Sequence, residues 1–149
     1  MDTVQDPAAA TDVVAAFRTA TTTADFDTLM DLLTEDAALT SPLSGRMVFR
    51  GKADLRVLLT AAYGGLSGLR WTDEIGEGKR RVLLAEASVG PFRLTEALVL
   101  DLADDGRIRG LSPHLRPWLT LTAVAVRLAP GLFKHPGVLR RAMRAAATP

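Results

Sequence analysis

Glu96 is the residue whose type and position most clearly suggest chemistry. It lies in the run from Phe92 to Leu102, which has the alternation of a β-strand. Alternate side chains of a strand share a face, so Glu96 shares its face with five apolar residues: Phe92, Leu94, Leu98, Leu100 and Leu102. A carboxyl in such surroundings is either hydrogen-bonded at some cost or kept for chemistry or ligand binding. Burial would raise its pKa toward neutrality, which suits a general acid or base.

A hairpin with Gly90-Pro91 as its turn is predicted to position this acid. A two-residue turn pairs Glu96 with Ala85, whose small side chain leaves room for a carboxyl or a ligand. Glu86 then lies on the opposite face near Arg93 and is interpreted as a polar cross-strand partner. A longer turn would shift the register and turn Glu96 outward. A buried Glu96 satisfied by a hydroxyl, an Arg or a water therefore remains the alternative to a pocket acid.

Helices followed by strands form the predicted framework. Apolar spacing predicts three helices. The first covers 12–22, the second begins after its capping residue Asp25, and the third covers 52–63. A short strand over 37–40 and a loop or edge strand over 45–51 lie between the last two helices. Four further strands are predicted, over 69–75, 81–89, 92–102 and 108–115. In the first of them, Trp71 and Ile75 are expected to share a face. The fold class is therefore α+β, a cone-shaped curved antiparallel sheet with helices on its concave face, enclosing a pocket.

Composition narrows the chemistry further. The 149 residues fit one domain, and 48% hydrophobic with 23% charged residues is typical of a soluble globular protein. The absence of cysteine excludes disulfides, zinc-thiolate sites and thiol nucleophiles. We expect a flexible leader over 1–11, a domain over 12–116 and a basic helical extension over 117–149. The N-terminal segment carries acids and no apolar run, so we expect no secretory signal and a cytoplasmic location.

Charge is unevenly distributed along the chain. Residues 116–149 hold six basic residues and no acid, whereas residues 1–115 hold 12 basic and 17 acidic residues. A solvated helix face or contact with the acidic body is one explanation, and an anionic membrane surface or acidic partner is the other. Nucleic acid is not expected, because aromatics are scarce and no recognised motif is present.

The apolar segment 118–133 could serve in three ways. It is too short for a membrane span, and Pro130-Gly131 is predicted to interrupt it. It could cap the pocket, extend a dimer interface or rest on a membrane surface.

His114 and Arg116 are further polar residues near the predicted pocket. If Leu111, Pro113 and Leu115 face inward, His114 faces outward toward a dimer interface. Arg116 either pairs with Glu96 or faces solvent. With two His and no adjacent acid cluster, no metal site is expected.

The order and spacing of several short motifs resemble the nuclear transport factor 2-like superfamily, and more narrowly its SnoaL-like group, over residues 12–118. The motifs are Phe17, Asp25-Phe26-Asp27, Leu32-Leu33-Thr34-Glu35-Asp36-Ala37, Ser41-Pro42, Gly51-Lys52-Ala53 and Asp105-Gly106-Arg107-Ile108. The resemblance implies a cone-shaped fold with a hydrophobic pocket and a dimer formed through the outer face of the sheet. Ketosteroid isomerases and limonene-epoxide hydrolases are relatives within it. Such a scaffold hosts both enzymes and non-enzymes.

The catalytic residues of these relatives are mostly replaced. Where ketosteroid isomerases have a catalytic Asp and an oxyanion Tyr, the matching residues are Ser41 and Phe17, and their second oxyanion acid falls near Leu98. A Ser cannot replace a carboxylate as base, and a Phe cannot donate a hydrogen bond to an oxyanion. The epoxide hydrolase set is absent at all five positions: Leu39, Ser41, Leu83, Ala85 and Pro113.

The sequence therefore predicts a SnoaL-like protein that binds a small hydrophobic molecule, as a homodimer and without a cofactor. If it is an isomerase, cyclase or hydrolase, Glu96 is the acid or base and Ser41 an orienting group. Eight residues are predicted to contact the ligand: Phe17, Tyr63, Trp71, Leu83, Ala85, Leu98, Leu111 and Trp118. A non-catalytic binding or dimerisation module and a membrane-peripheral protein anchored by its basic tail are the alternatives.

Overall fold

Three helices precede or interrupt the first strands. The computed structural model describes the backbone of residues 7–146 and the side chains of 13–145. The helices are α1 (Pro7–Thr22), α2 (Phe26–Asp31) and α3 (Lys52–Gly64). Helix α1 begins five residues before the predicted start, so part of the predicted leader is helical, and residues 1–6 lie outside the described part. Asp25 caps α2 as predicted, because its carboxylate accepts a hydrogen bond from the Thr28 N–H at 3.1 Å.

Six strands form one curved, unclosed sheet. They are β1 (Leu33–Thr40), β2 (Val48–Arg50), β3 (Ser67–Ile75), β4 (Arg80–Val89), β5 (Phe92–Leu102) and β6 (Ile108–Arg116). The spatial order is β2-β1-β6-β5-β4-β3. Neighbouring strands are antiparallel except β1 and β6, which run parallel. A parallel pair needs a long connection, and α3 with four strands lies between β1 and β6 in the chain. The α+β class is confirmed.

The β4–β5 hairpin has the predicted register. Gly90 adopts a positive φ of 55° in the two-residue turn, a conformation that glycine reaches at little cost. Val89 therefore pairs with Phe92, and Ala85 pairs with Glu96. Because the register holds along the whole hairpin, Glu96 points to the concave face.

A bulge in β3 corrects the predicted alternation of that strand. Trp71 pairs with Ala85 but Asp73 pairs with Leu84, so Thr72 is an extra residue in the strand. Beyond the bulge the faces are exchanged. Ile75 is consequently 53% exposed instead of sharing the buried face of Trp71.

The concave face and the helices enclose the main core. Phe17 of α1, Leu55 and Leu59 of α3, and Leu98 and Leu100 of β5 are all nearly or fully buried in it. At about 25 cal/mol per Å² of apolar area removed from water, burial of such side chains is the main favourable contribution to folding. The helices therefore hold the sheet in its curved shape through this shared core.

Two helices follow the sheet, α4 (Trp118–Phe133) and α5 (Pro136–Ala146). The predicted interruption at Pro130-Gly131 is wrong, because α4 continues through Pro130. Pro130 and Val126 are both exposed, so the Val126 carbonyl that loses its helical N–H partner lies on the solvent side. Helix α5 joins the core through Val138 and Ala142. None of the described helices is long and apolar enough to cross a membrane.

Candidate functional site

An apolar cavity lies between α3, α4 and the concave face of the sheet. Its lining is apolar except for Tyr63 and Glu96, and consists of Leu39, Pro42, Leu58, Leu59, Ala62, Tyr63, Leu66, Leu94, Glu96, Leu98, Leu111, Pro113, Leu115, Val124 and Leu128. The space open to the centre of a water-sized sphere is about 80 Å³. Since one water needs only ~15 Å³ on this measure, the cavity has room for a small molecule or for the buried end of a larger one.

Glu96 is the only charged residue in this lining. It is 8% exposed, between the buried Leu94 and Leu98 on the same strand face. No hydrogen bond or ion pair reaches its carboxylate from any residue whose side chain is described. Burial without a partner disfavours the charged form and raises the pKa of Glu96 to about 7. The group can therefore both accept and donate a proton near neutral pH.

Tyr63 is the second polar residue of the cavity. It lies in the last turn of α3, where the ring of Phe17 meets it edge-on at a centroid distance of 6.4 Å. Burial, and after it the negative charge of Glu96, raises the pKa of Tyr63 well above its ordinary value of 10. The phenol therefore stays neutral at physiological pH and is available to donate a hydrogen bond.

The structure brings four of the predicted site residues together. Glu96 and Leu98 of β5, Leu111 of β6 and Tyr63 of α3 all line the cavity. Three different elements supply them, so their meeting depends on the way α3 crosses the curved sheet. The hairpin register accounts for Glu96 and Leu98 directly, because residues two apart on a strand share a face.

Four other predicted contacts are core residues outside the cavity lining. Phe17, Trp71, Leu83 and Ala85 are all buried, and the rings of Phe17 and Trp71 pack together at 5.8 Å. The Trp71 indole N–H donates to the Thr21 hydroxyl at 3.0 Å, which fixes it against α1. These residues belong to α1, β3 and β4, whereas the cavity lining comes mainly from α3, β5, β6 and α4. They pack in the core behind the cavity lining, where Phe17 contacts Tyr63.

Ser41 and Trp118 also lie outside the lining. Ser41 is buried, but its hydroxyl accepts a hydrogen bond from the Leu43 N–H at 3.2 Å and so belongs to a turn. Its neighbour Pro42 contacts the cavity instead. Trp118 is 76% exposed, because α4 turns Thr120 and Val124 toward the sheet.

Sequence reasoning did not name several lining residues, although the signal for some was present. Val124 and Leu128 lie four residues apart on one face of α4, and they cover the cavity. The segment thus caps the pocket, one of its three expected uses. Pro113 and Leu115 were expected to face inward, and both line the cavity.

The polar residues of β6 face the other way. His114 pairs with Ala97 and is exposed on the outer face of the sheet, as predicted for an inward Pro113. Arg116 is exposed on the same face and forms no ion pair with Glu96. Glu86 also lies on this face, but its ion-pair partner is Arg70 at 2.6 Å rather than Arg93. Within the described part of the chain, no group of acidic or histidine residues could hold a metal ion.

A six-stranded curved sheet with helices on its concave face and an apolar cavity between them defines the nuclear transport factor 2-like class of folds, also called cystatin-like. Solved structures of this class superpose well. An uncharacterised protein with a cystatin-like fold from Silicibacter pomeroyi gives a TM-score of 0.81 at 20% identity, covering 87% of this chain and 93% of that one. A steroid delta-isomerase from Pseudomonas aeruginosa gives 0.79 at 23% identity, covering 87% and 96%.

A third similar structure is a nuclear transport factor 2-like protein of unknown function from Burkholderia xenovorans, with a TM-score of 0.65 at 20% identity, covering 72% of this chain and 82% of that one. At these identities the similarity shows the fold alone. The model of the SnoaL-like domain matches residues 14–111, about two thirds of the sequence. The chain therefore belongs to the SnoaL-like domain family. No curated protein matches it.

Proposed function

We propose that this SnoaL-like protein binds a small hydrophobic molecule in the cavity and acts on it with Glu96 as the general acid or base, without a cofactor. The observation that carries the proposal is the unpaired, buried carboxyl of Glu96 in an otherwise apolar lining. A charged partner in the protein would have given the acid a structural explanation. Isomerisation, cyclisation and hydrolysis all need proton transfer of this kind.

The lining also defines the chemistry of the ligand. Its apolar walls favour a polyketide, terpenoid or steroid-like body, and two polar groups would meet an oxygen atom on it. Tyr63, held neutral, would donate to that oxygen. Glu96 would donate to it when protonated, or take a proton from carbon or water when ionised.

A non-catalytic binding module is the second candidate, and a specific observation favours it. Ser41, which stands where ketosteroid isomerases have their catalytic Asp, has its hydroxyl engaged in a turn. The cavity then offers one acid and one phenol, which is enough to bind a ligand oxygen without chemistry. The experiment must therefore separate binding from turnover.

A panel of small ketones, lactones, phenols and steroid-like compounds tests both candidates. Thermal stabilisation identifies a bound compound, and mass spectrometry of that compound after incubation in deuterium oxide detects exchange, rearrangement or addition of water. We expect Glu96→Gln to retain binding but to lower turnover by about 10²–10⁴. Glu86→Gln, an exposed acid on the same hairpin, is the matched control.

Turnover that survives in Glu96→Gln at the wild-type rate would refute the catalytic role. Binding with no turnover in the wild type would leave the binding module. Absence of any stabilising compound, together with a cavity that excludes small apolar probes in xenon or benzene binding, would refute the ligand pocket.

We also propose that the protein forms a homodimer through the outer face of β4, β5 and β6. Leu84, Ala97 and Val99 are partly exposed there, and His114 lies beside them. Sedimentation velocity measures the assembly. Ala97→Arg should convert a dimer to a monomer, because it places a charge where the outer faces of two sheets would meet. A wild-type monomer at high concentration would contradict the proposal.

A further inference from the structure

Helix α4 has a second apolar face, opposite the one that covers the cavity. Trp118, Val126 and Phe133 are 76%, 69% and 71% exposed, and Leu119 is half exposed. At 100° per residue these four side chains fall within about a third of the helix circumference. We call this set the outer stripe of α4. Exposed apolar patches of this extent mark sites of protein or membrane interaction.

The outer stripe carries no charged residue along the whole length of α4. Thr122 lies on the same side of the helix, and its hydroxyl donates to the Trp118 carbonyl at 3.1 Å. That bond satisfies the Thr122 hydroxyl within the helix. The Val126 carbonyl, which lacks its helical N–H partner because of Pro130, still needs a donor, and water supplies one at a membrane interface. An aromatic residue lies at each end of the stripe, and Trp and Phe are typical of the apolar face of a helix that lies in a membrane interface.

The two C-terminal helices carry several basic residues and no acid. Three of the basic residues are exposed: Arg127 in α4, Lys134 directly after the end of α4, and Arg140 in α5. Arg141 is not available, because its guanidinium binds the Asp54 carboxylate at 2.8 and 2.6 Å. Arg127, Lys134 and Arg140 therefore lie in a segment whose side chains include no acid, since residues 116–149 hold no Asp or Glu. The positive charge of the two C-terminal helices is complementary to anionic lipid headgroups.

We propose that helix α4 docks through its outer stripe on the surface of an anionic membrane, lying in the plane of the interface. A second copy fits the stripe less well, because stripe-to-stripe contact would bring two segments of the same strong positive charge together. An acidic lipid surface satisfies both the apolar side chains and the cations. The proposal does not depend on what the cavity binds or catalyses.

Co-sedimentation of the full chain with phosphatidylcholine vesicles, with and without phosphatidylserine, tests this docking. We expect binding only to the phosphatidylserine vesicles, with the bound fraction falling steeply as salt is raised. The double variant Val126→Asp with Phe133→Asp should abolish binding. The control is the double variant Leu43→Asp with Ile75→Asp, which introduces the same two charges at exposed apolar residues outside α4 and should bind like the wild type.

Tryptophan fluorescence supplies a second readout that does not depend on a disruptive substitution. Trp118 is exposed and Trp71 is buried, and they are the only two tryptophans. Phosphatidylserine vesicles should shift the emission of the wild type to shorter wavelength and leave that of the conservative variant Trp118→Phe in place. A wild-type chain that does not bind these vesicles, or binds them without a shift from Trp118, would overturn the proposal. The proposal would also be overturned if the wild type formed a dimer and bound no vesicles, and the double variant Val126→Asp with Phe133→Asp were monomeric. That result would mean that the stripe contacts a second copy.

Discussion

Asp54 and Glu96 are the two buried carboxyl side chains of the described residues, 7% and 8% exposed, and their surroundings are opposite. Asp54, in the first turn of α3, receives two hydrogen bonds from the guanidinium of Arg141. Glu96, in the middle of β5, receives none from the described side chains and faces a cavity. The first acid ties α5 to the body of the protein. The second acid makes no such contact, so its charge does not stabilise the fold.

The difference shows how to tell a structural acid from a functional one. A paired carboxyl keeps its charge because hydrogen bonds from an arginine replace those that water would donate. An unpaired one loses water without compensation, so its pKa rises and its ionised form destabilises the protein. A shift from 4.5 to about 7 corresponds to about 3 kcal/mol at pH values above 7. A cost of that size, beside an apolar cavity, is the arrangement expected of a site of chemistry or binding.

Neutralising Glu96 should give the largest effect. Between pH 4.5 and 7 the native state binds more protons than the unfolded chain, so the contribution of Glu96 to stability falls as the pH rises and is lost above 7. Glu96→Gln removes the charge, and we expect it to raise the free energy of unfolding by about 3 kcal/mol at pH 8, and by far less at pH 4. Urea denaturation at both pH values measures this. A variant that is destabilised at pH 8 would show that the ionised carboxyl has a partner in the protein.

Neutralising Asp54 should act in the opposite direction and more weakly. Asp54→Asn removes the ion pair but keeps a polar side chain, so we expect a loss of about 1 kcal/mol, since Arg141 remains largely exposed to water. Because the two acids share no partner, the effects of Asp54→Asn and Glu96→Gln should add in the double variant, as measured by the same urea titrations. A strong departure from additivity would mean that the two sites are coupled.

The influence of Glu96 on Tyr63 should be the smallest effect of the three. Tyr63 is the only tyrosine, so the ultraviolet absorbance of phenolate reports it alone. Its pKa is raised first by burial and second by the charge of Glu96. We therefore expect Glu96→Gln to lower the pKa of Tyr63 slightly while leaving it above 10. A fall to the ordinary value would mean that charge, rather than burial, dominates at this position.

Sequence alone predicts the hairpin and the position of Glu96 well, for a local reason. A Gly-Pro turn of two residues fixes the register, and the alternation of a strand then decides which face each residue occupies. The inward Glu96 and the outward His114 both follow from that rule. The bulge at Thr72 breaks the same rule in β3, and nothing in the residue types of 71–75 marks it.

Contacts between distant elements could not be predicted in this way. Asp54 and Arg141 are 87 residues apart, and their pairing depends on where α5 docks. Tyr63 reaches the cavity because α3 packs against β1 and α4, whereas Trp118 misses it because the inward face of α4 is set by Thr120 and Val124. The presence of a carboxyl in an apolar wall was readable from the strand pattern. The absence of a partner for it was not, since that depends on every neighbouring element at once.

The central claim is that Glu96 is buried without a protein partner, and its own titration tests this most directly. The side-chain carboxyl carbon of Glu96, assigned by comparison with Glu96→Gln, can be followed by carbon NMR as the pH is raised. We predict a midpoint of about 7. Tyr63→Phe should leave that midpoint nearly unchanged, because burial alone accounts for the shift. A midpoint near the ordinary 4.5 would contradict the account, since it would mean that water or a cation reaches the carboxyl.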